Sequence, residues 1–147
     1  MLYLDSSALV KRYVREPGRN SLVQRLKTGG HLYSSAISYA EIHAALARKH
    51  REGELSRVEF LRARNDFEVD WLEMQEVSVN HETLGPIVQL VEHVPLRGMD
   101  AIHLAAAIWL QRKFKEAPQI VSSDPRLLKA ARRFRFDVYD PVGAEQP

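Results

Sequence analysis

Short apolar runs alternate with helix-length segments along all 147 residues, and that alternation restricts the chain to one fold class. Leu2–Leu4, His31–Ser35, Glu76–Val79, Gln119–Ser122 and Asp137–Tyr139 read as strands. Helices are expected over Ser7–Val14, from Asn20 or Ser21 to the Gly29-Gly30 stop, and from Ser38 to about Arg51. Others run from Ser56 to about Leu72, from about His81 to His93, from Asp100, and from Asp124-Pro125. In the Ser56 helix, Val58, Phe60 and Leu61 form the expected inward stripe, with Arg57, Arg62 and Arg64 outside. Strand–helix alternation implies βαβ units, hence a central, mainly parallel sheet of four to five strands with helices on both faces. No repeat or linker interrupts it. The expectation is a three-layer α/β/α single domain over residues 1–147.

Composition removes several kinds of chemistry. With no cysteine there is no disulfide, no thiolate nucleophile and no cysteine zinc site. No apolar run approaches the roughly 20 residues that cross a bilayer, so no membrane role is expected. Leu2, Tyr3, Leu4 and Asp5 follow the first methionine without a basic leader, so a cytoplasmic location is expected. The net charge of +2 is mild, but its distribution is uneven. Arg48, Lys49 and Arg51 close one helix, and Arg126, Lys129, Arg132, Arg133 and Arg135 crowd the last quarter. Such clusters suit phosphate binding. They also suit helix C-terminal ends, whose dipole favours cations.

Four acids stand where an apolar strand ends or a helix begins: Asp5, Glu41, Asp100 and Asp124. Each has a local explanation. Ser38 to Glu41 fits a capping box, in which Glu41 bonds back to the Ser38 amide. Asp124 before Pro125 is a strong N-cap, and Asp100 suits the positive end of its helix. Asp5 suits the same role before Ser7. Together they carry more. In open α/β sheets the ligand site lies beyond the carboxyl ends of the strands, where Asp5 and Asp124 project. Two carboxylates about 4 Å apart repel by roughly 4 kcal/mol at an effective dielectric near 20. Four gathered there demand a counter-charge, which Mg2+, or Mn2+ in its place, supplies through hard oxygen ligands. Such a site hydrolyses phosphodiesters with no protein nucleophile. Ser7 and Ser122 suit positioning of the attacking water or a phosphate oxygen, and equally suit backbone capping. His103, one turn beyond Asp100, reads more readily as a packed or hydrogen-bonded residue than as a ligand.

These segments resemble the PIN domain, and specifically the VapC-type toxins of type II toxin–antitoxin pairs. The first motif is carried by Leu4-Asp5-Ser6-Ser7-Ala8-Leu9-Val10-Lys11 and the weak second motif by Ser38 to Glu41. The third is Asp100-Ala101-Ile102-His103-Leu104-Ala105, and the fourth is Ser122-Ser123-Asp124 followed by Leu127, Leu128 and Ala130. The resemblance implies a magnesium-dependent endoribonuclease whose metal-coordinating acids are Asp5, Glu41, Asp100 and Asp124, the last the least uniform in role. It also implies a homodimer and a cognate antitoxin seated beside the active site, with the Ser38–Leu72 arm as the expected contact. Where the family often ends its last long helix with glycine, this chain has Arg133-Phe134-Arg135-Phe136, which leaves that turn open.

Two other classes compete. A binding module for RNA or a protein partner would use the same acids only as helix caps. A phosphatase-type phosphoryl-transfer enzyme would place Asp5 as nucleophile, but its second aspartate two positions later is Ser7 here. Zinc-protease spacing, a P-loop and a nucleophile elbow are all absent from the sequence.

Overall fold

The computed structural model describes residues 1–146; Pro147, the last residue of the expected domain, lies outside the described residues. Five strands form one sheet in the order β3-β2-β1-β4-β5, every neighbouring pair parallel. They are β1 (Leu2–Leu4), β2 (Leu32–Ser35), β3 (Gln75–Val77), β4 (Gln119–Val121) and β5 (Val138–Tyr139). Eight α-helices connect or flank them: α1 (Ser6–Leu9), α2 (Arg19–Lys27), α3 (Ala36–Arg51), α4 (Arg57–Glu73), α5 (His81–Leu84), α6 (Ile87–His93), α7 (Gly98–Phe114) and α8 (Pro125–Arg133).

The period-2 geometry of a strand explains the layering. Leu2 and Leu4 join an apolar cluster with Ala8, Leu9, Leu22, Ile42, Leu46 and Phe67, from α1 to α4. Tyr3, between them, joins the opposite cluster with Leu90, Leu104, Leu110, Leu127 and Ala131, from α6 to α8. β4 divides in the same way, Ile120 to one cluster and Val121 to the other. β1 and β4, buried on both faces, therefore read as unbroken apolar runs. Among the described residues no helix is long and apolar enough to cross a membrane.

Several boundaries differ from the sequence expectation. The first helix ends at Leu9 and continues only as a 3-10 turn, Val10–Arg12. Gly85-Pro86 divides the His81–His93 segment into α5 and α6, since proline removes a donor and crowds the preceding turn. The expected stripe on α4 holds at Phe60, which packs against the apolar cluster, and fails at Val58, which is 67% exposed; the buried positions are Ala63 and Phe67, at i and i+4. The helix begins beside Ser56, as expected, and Ser56 is its N-cap, with Glu59 completing a capping box.

Two turns depend on left-handed backbone. Gly18 (φ +89°) caps α2, and a Cβ there would lie 3.0 Å from backbone atoms of Pro141 and Val142. After α8 the left-handed position falls on Arg135 (φ +63°), and the next amide, Phe136, donates back to the Ala131 carbonyl at 3.0 Å. The helix thus ends in the turn that glycine favours, built here with arginine.

Candidate metal centre at the sheet rim

Chain order reverses direction between β1 and β4, which are neighbours in space and far apart in sequence. That switch point opens a crevice beyond the strands' carboxyl ends. Asp5 follows β1 directly and donates its amide to the Val121 carbonyl of β4 at 3.0 Å. Ser122 follows β4 and reaches across to Asp5: its hydroxyl donates to Asp5 Oδ2 at 2.9 Å.

Asp5 is 4% exposed, and its two oxygens face different surroundings. Oδ2 accepts from the Ser122 hydroxyl, the Ser7 hydroxyl and the Ser7 amide. The last of these makes Asp5 the N-cap of α1. Each serine also accepts from the β4–α8 loop, Ser7 from the Ser123 amide at 2.9 Å and Ser122 from the Asp124 amide at 3.0 Å. Both hydroxyl protons therefore go to Asp5, and the pair ties the carboxylate to the loop that carries Asp124. Oδ1 is left facing His103 Nε2 at 3.3 Å.

Glu41 arrives from α3, but not by the expected cap. The helix starts at Ala36, two residues early, because the Ser35 hydroxyl accepts the Ile37 amide. Ser38 is buried inside the first turns, bonded to the Ser34 hydroxyl at 2.8 Å. Freed from that capping box, Glu41 turns to the rim, where Oε2 lies 3.0 Å from His103 Nε2.

His103 is packed and hydrogen-bonded, as the sequence reading had it, and it lies at the centre of the acidic group. It is 2% exposed, with Nε2 between Asp5 and Glu41 and Nδ1 2.9 Å from the buried Tyr3 hydroxyl. Asp5, Glu41 and His103 each offer one ligand atom within 4.8 Å of the others. The signal was present: Asp100 and His103 stand at i and i+3, which places them on one helix face. The missing information was which strand that face would meet.

Asp100 and Asp124 lie outside this tight group. Asp100 occupies the third position of α7, where it accepts the Arg97 amide at 3.4 Å. It is nonetheless near: burial raises its pKa first, and the charges of Asp124 and then Asp5 push it further. Asp124 caps α8, accepting the amides of Arg126 at 2.7 Å and Leu127 at 3.4 Å. The structure thus brings Asp5, Glu41, Ser7 and Ser122 together directly, with Asp100 and Asp124 on the perimeter.

The charges compensate one another internally. Burial opposes an imidazolium at His103, but the Glu41 hydrogen bond and the charges of Asp5, Glu41 and Asp100 outweigh it and raise the pKa. For Glu41, burial favours the neutral acid, yet the His103 hydrogen bond and charge, with Ser6, bring its pKa below the usual carboxylate range. Linkage gives the sign for metal-free protein. A raised histidine contributes stability below its unfolded value of about 6.5, lost as pH rises through the folded value. A depressed Glu41 contributes above about 4.3, lost as pH falls through its folded value. Thermal melts in chelator should therefore peak between about pH 5 and 7. A melting temperature still climbing from pH 7 to 9 would contradict the Asp5–His103–Glu41 arrangement.

Oxygen ligands from two carboxylates suit Mg2+ and Mn2+, and His103, paired with both carboxylates, is not needed as a third ligand for either. The donor set therefore fits a divalent cation of that class.

With the site in view, comparison with known proteins is decisive: residues 2–133 match the PIN domain family. The chain belongs to the PIN domain family. Among its relatives is Ribonuclease VapC45 of Mycobacterium tuberculosis, 35% identical over 109 residues, which is 74% of this chain and 75% of that protein. Ribonuclease VapC47 of the same species is 32% identical over 146 residues, covering 96% and 97%. Among solved structures, a chain of a toxin–antitoxin complex from Klebsiella pneumoniae superposes with a TM-score of 0.68 over 96% of this chain and 98% of its own, at 15% identity. The fold expected from strand–helix alternation is thus the PIN fold, and the resemblance read from the four motifs holds.

Proposed function

We propose that this PIN domain, taken as a single domain over the whole chain, is a cytoplasmic, metal-dependent endoribonuclease acting as the toxin of a toxin–antitoxin pair. The observation that carries this reading is the convergence of Asp5 and Glu41 from separate elements at one sheet rim, in a chain whose relatives are named ribonucleases.

In this reading Asp5 and Glu41 hold Mg2+ or Mn2+, with Asp100 and Asp124 completing the negative rim. The chemistry a divalent cation supplies in such a site is activation of water and neutralisation of charge on phosphate oxygens. The protein's part is orientation. Ser7 and Ser122 fix the rotamer of Asp5 through two hydroxyl bonds to one oxygen, so the other oxygen faces the site without rearrangement. Tyr3 fixes the His103 ring in the same way, setting which nitrogen points at the carboxylates.

An antitoxin partner and a homodimer belong to the same reading; the family resemblance supports both, and the Klebsiella neighbour, solved as a toxin–antitoxin complex, supports the antitoxin. The expected antitoxin contact, the α3–α4 arm, is a packed helix pair with an aromatic cluster of Tyr39, His43, Phe67 and Trp71.

The test is direct. Purified protein should cut single-stranded RNA in Mg2+, stop in excess chelator, and resume when Mg2+ or Mn2+ is restored. The competing reading, a binding module, draws on the cap bonds that Asp5, Asp100 and Asp124 all make. Intact RNA across a broad panel, with Mn2+ binding demonstrated by calorimetry, would favour the module.

A further inference from the structure

Beyond the acids, the same rim opens into a cleft of about 480 Å³ that runs along α3. Its near end is lined by Ser6, Ser7 and Glu41, and its far end by Arg48 and Arg51. The register is helical: Glu41, Arg48 and Arg51 stand at i, i+7 and i+10 and so share one face. At 1.5 Å per residue, the arginines lie about 10 and 15 Å along the axis from Glu41. That places them about two to three helical turns further along the groove, where the neighbouring phosphates of a strand held at the acids would run.

The pairing of charges on this helix end is selective. Lys49, between the two arginines in sequence, turns to the other side and pairs with Glu54 at 2.7 Å and Glu16 at 3.3 Å. Glu16 is further held by the buried Lys11 at 3.0 Å. Arg12 is likewise bound, to Asp70. Among the described residues, Arg48 and Arg51 make no ion pair, both are exposed, and Glu41 is the only acid lining their cleft. A dipole interaction at the helix end is satisfied by any cation there. It does not account for two unpaired guanidiniums lining a groove that ends at the acidic site.

We infer that Arg48 and Arg51 bind the phosphates flanking the one under attack, on a single RNA strand laid along the α3 cleft. The inference rests on the ribonuclease reading for its substrate, and it adds direction: the strand leaves the acids along α3 towards the helix C-terminus. Guanidinium suits the task because its planar fork pairs bidentately with phosphate oxygens. Such contacts carry affinity and register and no base sequence.

The experiment is fluorescence anisotropy with labelled single-stranded RNA, run in EDTA and repeated in Ca2+. The proteins are wild type, R48Q/R51Q and R48K/R51K, each checked by thermal melt. The glutamine pair should bind about tenfold more weakly at low salt, and the slope of log affinity against log salt should fall by about 1.4, at 0.7 per lost phosphate contact. The lysine pair should keep the slope. Equal affinity and slope for wild type and the glutamine pair overturn the inference and leave the arginines for an acidic protein segment; so does a wild type that binds no RNA. Cleavage in Mg2+, followed in parallel, separates the two readings. Arginine-dependent binding without cleavage sinks the nuclease and keeps the track; cleavage with arginine-independent binding does the reverse.

Discussion

Replacing Asp5 with asparagine should lower RNA cleavage by roughly a hundredfold or more, since even outer-shell partners of metal ligands are worth 10–100-fold. Asp5 is where the first strand, the β4 loop and α7 meet, through Ser7, Ser122 and His103. Asparagine keeps the shape of the side chain and remains a good N-cap for α1. Its carbonyl oxygen can still accept from Ser7 and Ser122. What disappears is the charge on the oxygen facing His103 and the site, and with it the attraction for a divalent cation. The variant should therefore lose both turnover and Mn2+ binding by calorimetry, and, with one counter-charge of the buried His103 imidazolium gone, it should also melt below wild type in chelator. Cleavage within tenfold of wild type would remove Asp5 from the metal site, and the four-acid reading with it.

The second large effect concerns His103. His103→Leu should destabilise the metal-free protein by about 3 kcal/mol, because removing one partner of a buried ionic group leaves the others uncompensated. The value belongs at the lower end of that range because the Glu41 side chain is 24% exposed and can turn its charge to water. Asp5, at 6%, cannot. For a chain of this length the shift corresponds to a melting temperature lower by about 10 °C. Excess Mn2+ should restore part of the loss in the variant, by mass action on the folded state. A metal-free melting temperature within 2 °C or so of wild type would show that the imidazole contributes packing and little charge.

The contrast between these two residues shows how far local reading extends. Asp5, Ser7, Ser122 and Asp124 each sit at a strand end or helix start, a feature visible within a few residues. Glu41 was singled out as an acid at a helix start, and the capping box that offered its local explanation does not form; Ser35, hidden at the end of β2, caps α3 instead. His103 carried no local signal stronger than its spacing from Asp100. Its partners, Tyr3 and Glu41, are 100 and 62 positions away.

Strand–helix alternation, apolar strands buried on both faces, and acids at the edges of elements are properties of short windows, so the amino-acid order alone determined the parallel α/β architecture and the PIN family. Which acids meet was decided by the strand order β3-β2-β1-β4-β5 and by the rotation of α3 and α7 about their axes. Those are global packing choices, made by two apolar clusters closing on opposite faces of the sheet. They set the His103 imidazole between Asp5 and Glu41, and they line Arg48 and Arg51 along the cleft that leads to it.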